Sequence, residues 1–198
     1  MYLEDELLQQ LWDLGKTPIN LSVLKKYIES YDNESDRNLL IAGFAEGFRL
    51  QYTGPRLSLN KNKKISAKIN KLETLDKLQR EMELGRMLGP FNYLPISTLR
   101  ISPIGLVEKS DHTLRLITHL SYPKENSVND FIDEKVCAVK YSSFDQVLDM
   151  ISGLGKSQEL GKINIRQAFR LIIINPSYFD LLGIMFDDKY YVDKCLPM

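Results

Sequence analysis

Leu3, Leu7, Leu8, Leu11 and Leu14 recur at three- and four-residue spacing, which predicts an amphipathic helix over residues 3–14, stopped at Gly15. Thr17-Pro18 opens a turn. Asn20 or Ser22 is placed to cap a second helix carrying Leu24, Tyr27, Ile28 and Tyr31. Asp32–Arg37 is polar and reads as a linker. A third helix is expected from Asn38 to Phe48, with Leu39, Leu40, Phe44 and Phe48 on its apolar side, and Gly54-Pro55 closes this helical part. A long helix is predicted over 69–87, where Ile69, Leu72, Leu75, Leu78 and Met82 form one stripe and Gly89-Pro90 ends the run.

Beyond that point the period changes. Ser97–Lys109 and Leu114–Leu120 read as two strands joined by the polar turn Ser110–Thr113, with Pro103 confining the first to an edge or a bulge. Tyr122–Ser127 reads as a loop. Ser142 or Ser143 caps a short helix (Phe144, Val147, Leu148, Ile151) that stops at Gly153-Leu154-Gly155. Gly161–Ile174 then shows alternation over Lys162–Ile165, predicting a strand that delivers Asn164 to its end, followed by the apolar run Leu171–Ile174. A last hairpin, Ile184–Phe186 and Tyr190–Val192, turns at Asp187-Asp188-Lys189. The order is helices first, then a mixed region, hence an α+β fold.

Composition sets limits on this picture. The chain has 198 residues, 43% of them apolar and 26% charged, enough for one or two domains with a core. Its 26 basic and 26 acidic residues cancel, so overall charge does not call for a polyanion partner. One stretch is locally basic: Arg56, Lys61, Lys63, Lys64 and Lys68 lie within residues 56–68, a solvated loop or a loop contacting nucleic-acid phosphates. Cys137 and Cys195 have no metal-binding spacing and read as two buried, reduced thiols, which suits an intracellular protein. No run approaches the roughly 18 apolar residues of a membrane span. The acidic start MYLEDELLQQLW lacks a signal-peptide pattern, and no membrane partner is expected.

Several apparent motifs carry little. Gly155-Lys156-Ser157 imitates the end of a phosphate-binding loop, yet Met150 stands where that motif needs glycine. His112 reads as a surface turn residue and His119 as a strand residue, without metal spacing. The nucleophile motif of serine hydrolases is absent. Asp187-Asp188 reads as a solvated turn-forming pair.

Five later blocks occur together: PISTLRISPIGLVEK, LRLITHLSYPKENSVNDFI, VKYSSFDQVLDMISGLG, KINIRQAFRLIII and YYVDKCLPM. Through them the run from Ile96 to Met198 resembles reverse transcriptases, in particular those of DIRS-type, tyrosine-recombinase retrotransposons. TPINLSVLKKYIESY and GFRLQYTGPR look like the segment that precedes the polymerase domain in the same elements. The resemblance implies a helical N-terminal segment (1–55), then the fingers and incomplete palm of a right-hand polymerase (56–198).

In that family the fingers hairpin holds the triphosphate of the incoming dNTP with a Lys and an Arg, positions matched by Lys109 and Arg115. An aromatic that excludes a ribose 2′-hydroxyl is matched by Phe169. The metal-binding Asp belongs five residues before it, where this chain carries Asn164. Mg²⁺ is the family's cofactor and a template-primer its nucleic-acid partner. Two Mg²⁺ ions are normally held by carboxylates, and an amide lacks the charge and the bridging capacity that they need. The family's later Tyr-x-Asp-Asp hairpin is not in the sequence, which ends at Leu196-Pro197-Met198. The chain is therefore expected to be catalytically inactive alone and to self-associate through an exposed palm edge. A nucleic-acid-binding or protein-interaction module without catalysis is the alternative.

Overall fold

The computed structural model describes residues 2–60, 70–157 and 159–198. Its N-terminal part holds three helices, α1 (Tyr2–Gln9), α2 (Leu21–Tyr27) and α3 (Glu34–Glu46). The first ends earlier than the leucine pattern suggests; Leu11 and Leu14 lie beyond it, and Leu11 packs into the core from a turn. The Asn20 carboxamide accepts from the backbone N–H of Ser22 and Val23, capping α2 as expected. The third helix begins inside the presumed linker. Asn33 accepts from Asp36 N, and Glu34 and Asp36 sit in the first turn, where the helix dipole favours carboxylates.

A five-stranded mixed sheet forms the centre, with β1 (Leu59–Asn60), β2 (Met87–Phe91), β3 (Arg100–Ile101), β6 (Gly183–Phe186) and β7 (Lys189–Asp193) in the order β1-β3-β6-β7-β2. The β1–β3 and β3–β6 pairs are parallel; β6–β7 and β7–β2 are antiparallel. The remaining strands, β4 (Ile104–Glu108) and β5 (Leu114–Thr118), make a separate two-stranded hairpin. The expected strand over 97–109 is thus broken in two at Ser102-Pro103, and its halves serve different sheets. Proline gives no N–H to a ladder, so the chain changes direction there.

Helix α4 (Lys71–Glu83) is shorter than the predicted 69–87. Gly85, at a φ of +66°, ends it, and Met87–Phe91 enters the sheet opposite β7. The Gly89-Pro90 bond, expected to lie past a helix end, is a cis peptide within β2. Alternation along the central strands separates two apolar layers. Leu78 of α4 packs with Met87, Ile184, Phe186 and Tyr191 on one side. On the other, Leu88 and Val192 join Leu11, Tyr52, Phe91, Leu99 and Phe179. Leu11 and Tyr52 therefore share a core with the sheet. The β6–β7 turn needs only Asp187-Asp188, at φ of 52° and 57°, the left-handed pair of a two-residue hairpin. Asp187 also accepts from Lys71 Nζ at 2.6 Å.

The remaining elements are α5 (Glu134–Cys137), α6 (Phe144–Leu154) and α7 (Ala168–Leu171), with 3₁₀ turns at Asn129–Phe131 and Pro176–Leu181. Ser143 and Gln146 form a reciprocal capping box on α6. Yet nothing on α6 is buried. Among the described residues of 133–169, none is buried and Ile151 is the least exposed, with Val147 at 36%.

The cysteine expectation is corrected here. Cys195 is buried, but Cys137 is exposed, because α5 lies on this uncovered stretch. Burial, with the Asp193 carboxylate nearby, pushes the Cys195 thiol up to about 12, so its nucleophilic thiolate is scarce. Titration with a disulfide reagent at pH 8 should release one equivalent quickly, from Cys137, and the second only in denaturant. Two fast equivalents in native buffer would contradict this placement of Cys195.

Candidate nucleotide-gripping hairpin and the Asn164 stretch

The β4–β5 hairpin is built by five residue pairs, from Ile104 opposite Thr118 to Glu108 opposite Leu114. Val107 faces Arg115 directly across the ladder, so their side chains share a face of the hairpin. Lys109, two residues beyond Val107, continues that face. The turn is closed by Lys109 N–H donating to Thr113 O and by His112 in the left-handed region at a φ of 60°. Lys109 and Arg115 thereby line one open hollow of about 520 Å³, with Val107, Glu108, Ser110, Asp111 and Ile117.

Charge in this hollow is unevenly compensated. Lys109 Nζ lies 3.0 Å from Asp111 Oδ2. The other oxygen of Asp111 accepts from Thr113 N at 3.0 Å and Thr113 Oγ1 at 2.6 Å. These Thr113 bonds, and then Lys109, hold the Asp111 carboxyl well below the usual carboxylate range. Arg115 is exposed and has no ion pair among the described residues. His112 Nδ1 meets Glu108 Oε1 at 2.7 Å, on the surface as the sequence suggested. His119 lies one residue past β5, exposed and stacked on Tyr122 with ring centroids 6.0 Å apart.

Asn164 and Phe169 do not line this hollow. The expected strand over Lys162–Ile165 is not formed: these residues are unpaired and exposed, and Ile163 is 93% exposed. A strand persists only where its backbone groups meet a partner, and no described strand lies beside this one. Asn164 is therefore an exposed amide on an unpaired stretch, and Phe169 is 56% exposed at the start of α7. No group of three or more His, Cys, Asp or Glu side chains able to hold a metal is assembled among the described residues. A neutral amide on an exposed stretch, without converging carboxylates, does not fit a two-Mg²⁺ centre.

Burial begins one residue after Phe169. The Arg170 guanidinium, only 4% exposed, donates to Glu81 Oε2 from Nε at 3.0 Å and from an Nη at 2.7 Å. Its other Nη donates to Asp193 Oδ2 at 2.8 Å. Burial pushes the Asp193 carboxyl up and Arg170 pulls against it. Arg86 lies 3.9 Å from Glu81 and donates to Gln167 Oε1 at 2.9 Å. One ionic cluster thus ties α4, β7 and the end of the Asn164 stretch together. Sequence reading missed it, although an arginine inside Phe169–Ile174 was a signal: a charge in an apolar run needs a buried partner.

Leu171–Ile174 is then held from both sides. Phe48 bridges Ile174, and Ile173 bridges Cys195. Gly47 makes the first approach possible, because at a φ of +87° any Cβ would lie 2.4 Å from the Asn175 nitrogen.

The basic stretch is only partly described, since Lys61, Lys63, Lys64 and Lys68 lie outside the described residues. Arg56 is engaged internally. It pairs with Asp180, donates to Ser177 O at 3.1 Å, and stacks between the rings of Tyr52 and Tyr178. Both of these bonds come from one Nη, and the side chain stays 36% exposed.

No protein-family model and no curated protein matches the chain. Solved structures of foamy viral protease-reverse transcriptase do. One in complex with dsDNA is 14% identical, with 93% of this chain and 39% of that chain covered and a TM-score of 0.43. A dRH form with dsDNA is 13% identical, with 93% and 33% covered and a TM-score of 0.46. The native prototype foamy virus protein is 15% identical, with 93% and 25% covered and a TM-score of 0.41. The chain thus spans well under half the length of each.

Proposed function

We propose that the chain is a reverse-transcriptase-like polypeptide of the DIRS retrotransposon type, which grips nucleotide or nucleic-acid phosphates and does not synthesise DNA by itself. The observation that carries this reading is the co-facing pair Lys109 and Arg115 over one open hollow. Arginine offers a planar fork of donors and lysine a compact charge, a combination suited to polyphosphate oxygens. The sequence blocks quoted above support the same reading, with the helical segment 1–55 preceding the polymerase-like part 56–198. In this proposal Phe169 is the sugar-selecting aromatic. Asn164 occupies the position of the metal-binding Asp without its charge, so no catalytic step is assigned to Mg²⁺. Template-primer and dNTP are the proposed ligands, and the cell interior the proposed location. A protein-interaction role draws on one separate observation, the uncovered apolar side chains of 133–169.

Binding of a fluorescent template-primer and of dATP tests the proposal. Both should bind with affinity that falls as salt rises, because bound phosphates release counterions. Lys109→Gln with Arg115→Gln should weaken dATP binding about tenfold or more, in line with roughly 1.5–3 kcal/mol for a hydrogen bond to a charged group. Primer extension with Mg²⁺ or Mn²⁺ should give no product. Salt-independent binding, or dATP binding indifferent to the double substitution, would overturn the phosphate-gripping role; extension products would overturn the inactive assignment.

A further inference from the structure

The two cations of the hollow are not equivalent. Arg115 is unpaired among the described residues, whereas Lys109 is already engaged by Asp111 at 3.0 Å. Asp111 is also not free to swing away. Its second oxygen is fixed by the N–H and the hydroxyl of Thr113, so the carboxylate is held by its own turn whether or not Lys109 is present. A carboxylate oxygen facing an ammonium presents the same acceptor chemistry as a phosphate oxygen. We infer that Asp111 is a built-in competitor for the anion that this hollow receives, occupying the Lys109 ammonium until a polyphosphate displaces it. The inference rests on the phosphate-gripping reading of the hairpin and adds an affinity-setting residue to it. Asp111 is a carboxylate, charged across the neutral range as any exposed Asp is. The physical consequence is selection by charge: a monoanion gains little by displacing one carboxylate from Lys109. A polyphosphate engages Arg115 first, and then replaces Asp111 with a more highly charged group.

Inorganic tripolyphosphate, titrated calorimetrically into the full chain at low salt, is the probe. Asp111→Asn keeps an oxygen for Thr113 and removes the charge. It should tighten tripolyphosphate binding about two- to fivefold, the range of an exposed ion pair. Its effect on inorganic phosphate should be smaller. Lys109→Gln should weaken binding, and Asp111→Asn added to Lys109→Gln should bring a smaller gain, that of relieved repulsion alone. An equal gain in both backgrounds would mean that Asp111 acts only as a distant negative charge, and would overturn the competitor role; so would no gain at all. Failure of the underlying reading looks different. In that case tripolyphosphate would bind neither the parent chain nor Asp111→Asn, or would bind without regard to Lys109→Gln and Arg115→Gln.

Discussion

Arg170→Met is expected to destabilise the chain by about 3–5 kcal/mol, the usual cost of removing one partner from a buried ion pair. The cause is the residue left behind more than the bonds lost. The Asp193 side chain is 3% exposed and the Glu81 side chain 15% exposed, so neither carboxylate recovers its hydration when the guanidinium goes. A carboxylate stranded in the interior must take up a proton or draw in water, and either response loosens β7 against α4. The sign with pH follows from burial. Asp193 already has a folded-state pKa above its unfolded value, and losing the arginine raises it further. A raised carboxyl pKa makes the folded state bind more protons, so the variant should lose stability as pH rises from the acid side toward neutral. Denaturant midpoints at pH 5 and pH 7 measure both effects, and the deficit should be larger at pH 7. The double variant Arg170→Met, Asp193→Leu should recover part of the loss, because it removes the stranded charge together with its partner. A single variant with an unchanged midpoint would show that the cluster is hydrated and of little energetic weight.

The second large effect concerns association. The stretch 133–169 presents Phe144, Val147, Leu148, Met150, Leu154, Leu160, Ile163, Ile165 and Phe169 to solvent, all of them at least a third exposed. On α6, Phe144, Val147, Leu148 and Ile151 lie at helical spacing, an amphipathic stripe of which no member is buried. Contiguous apolar surface of this kind favours self-association. Sedimentation velocity over a concentration series should show weight-average mass rising with concentration, and a polarity-sensitive dye should bind the native chain. Phe144→Lys with Leu148→Lys should shift the mass toward the monomer value. It should change stability by only about 0.5 kcal/mol or less, because both positions are exposed. The same dye experiment gives a contrast inside the core. Leu78 is fully buried, so Leu78→Ala should cost about 2–5 kcal/mol without reducing association of the folded chain. A concentration-independent monomer with no dye binding would remove the basis of the prediction.

Sequence patterns were most informative where the determinants are local. Asn20 and Ser143 cap the helices that they were expected to cap, because an N-cap needs only a side-chain oxygen within reach of the next few amides. The β4–β5 hairpin was legible for the same reason, and so was the last hairpin, whose turn is one residue shorter than expected because Lys189 pairs with Phe186. So was the meeting of Lys109 and Arg115, since hairpin register puts them on one face. Reading failed where the outcome depended on a distant partner. Met87–Phe91 looked like the end of a helix and became a strand because β7, about a hundred residues later, was there to pair with it. Lys162–Ile165 had strand alternation and found no partner among the described strands. Arg56 has a partner that the local pattern does not show, Asp180, which lies 124 positions away.

The sequence by itself determined the α+β order of elements, the caps and turns, and the two cations of the hairpin, all of which follow from interactions between near neighbours along the chain. Only the tertiary structure decided which alternating stretches became strands, that Arg170 joins Glu81 and Asp193, and that Arg56 pairs with Asp180. Backbone ladders and buried charges are stable only when a second group arrives from elsewhere to satisfy them. Which group arrives is settled by packing and not by the local pattern. Asn164 shows the division most sharply: its chemistry is fixed by one letter of the sequence, and its exposure by the absence of any described strand beside it.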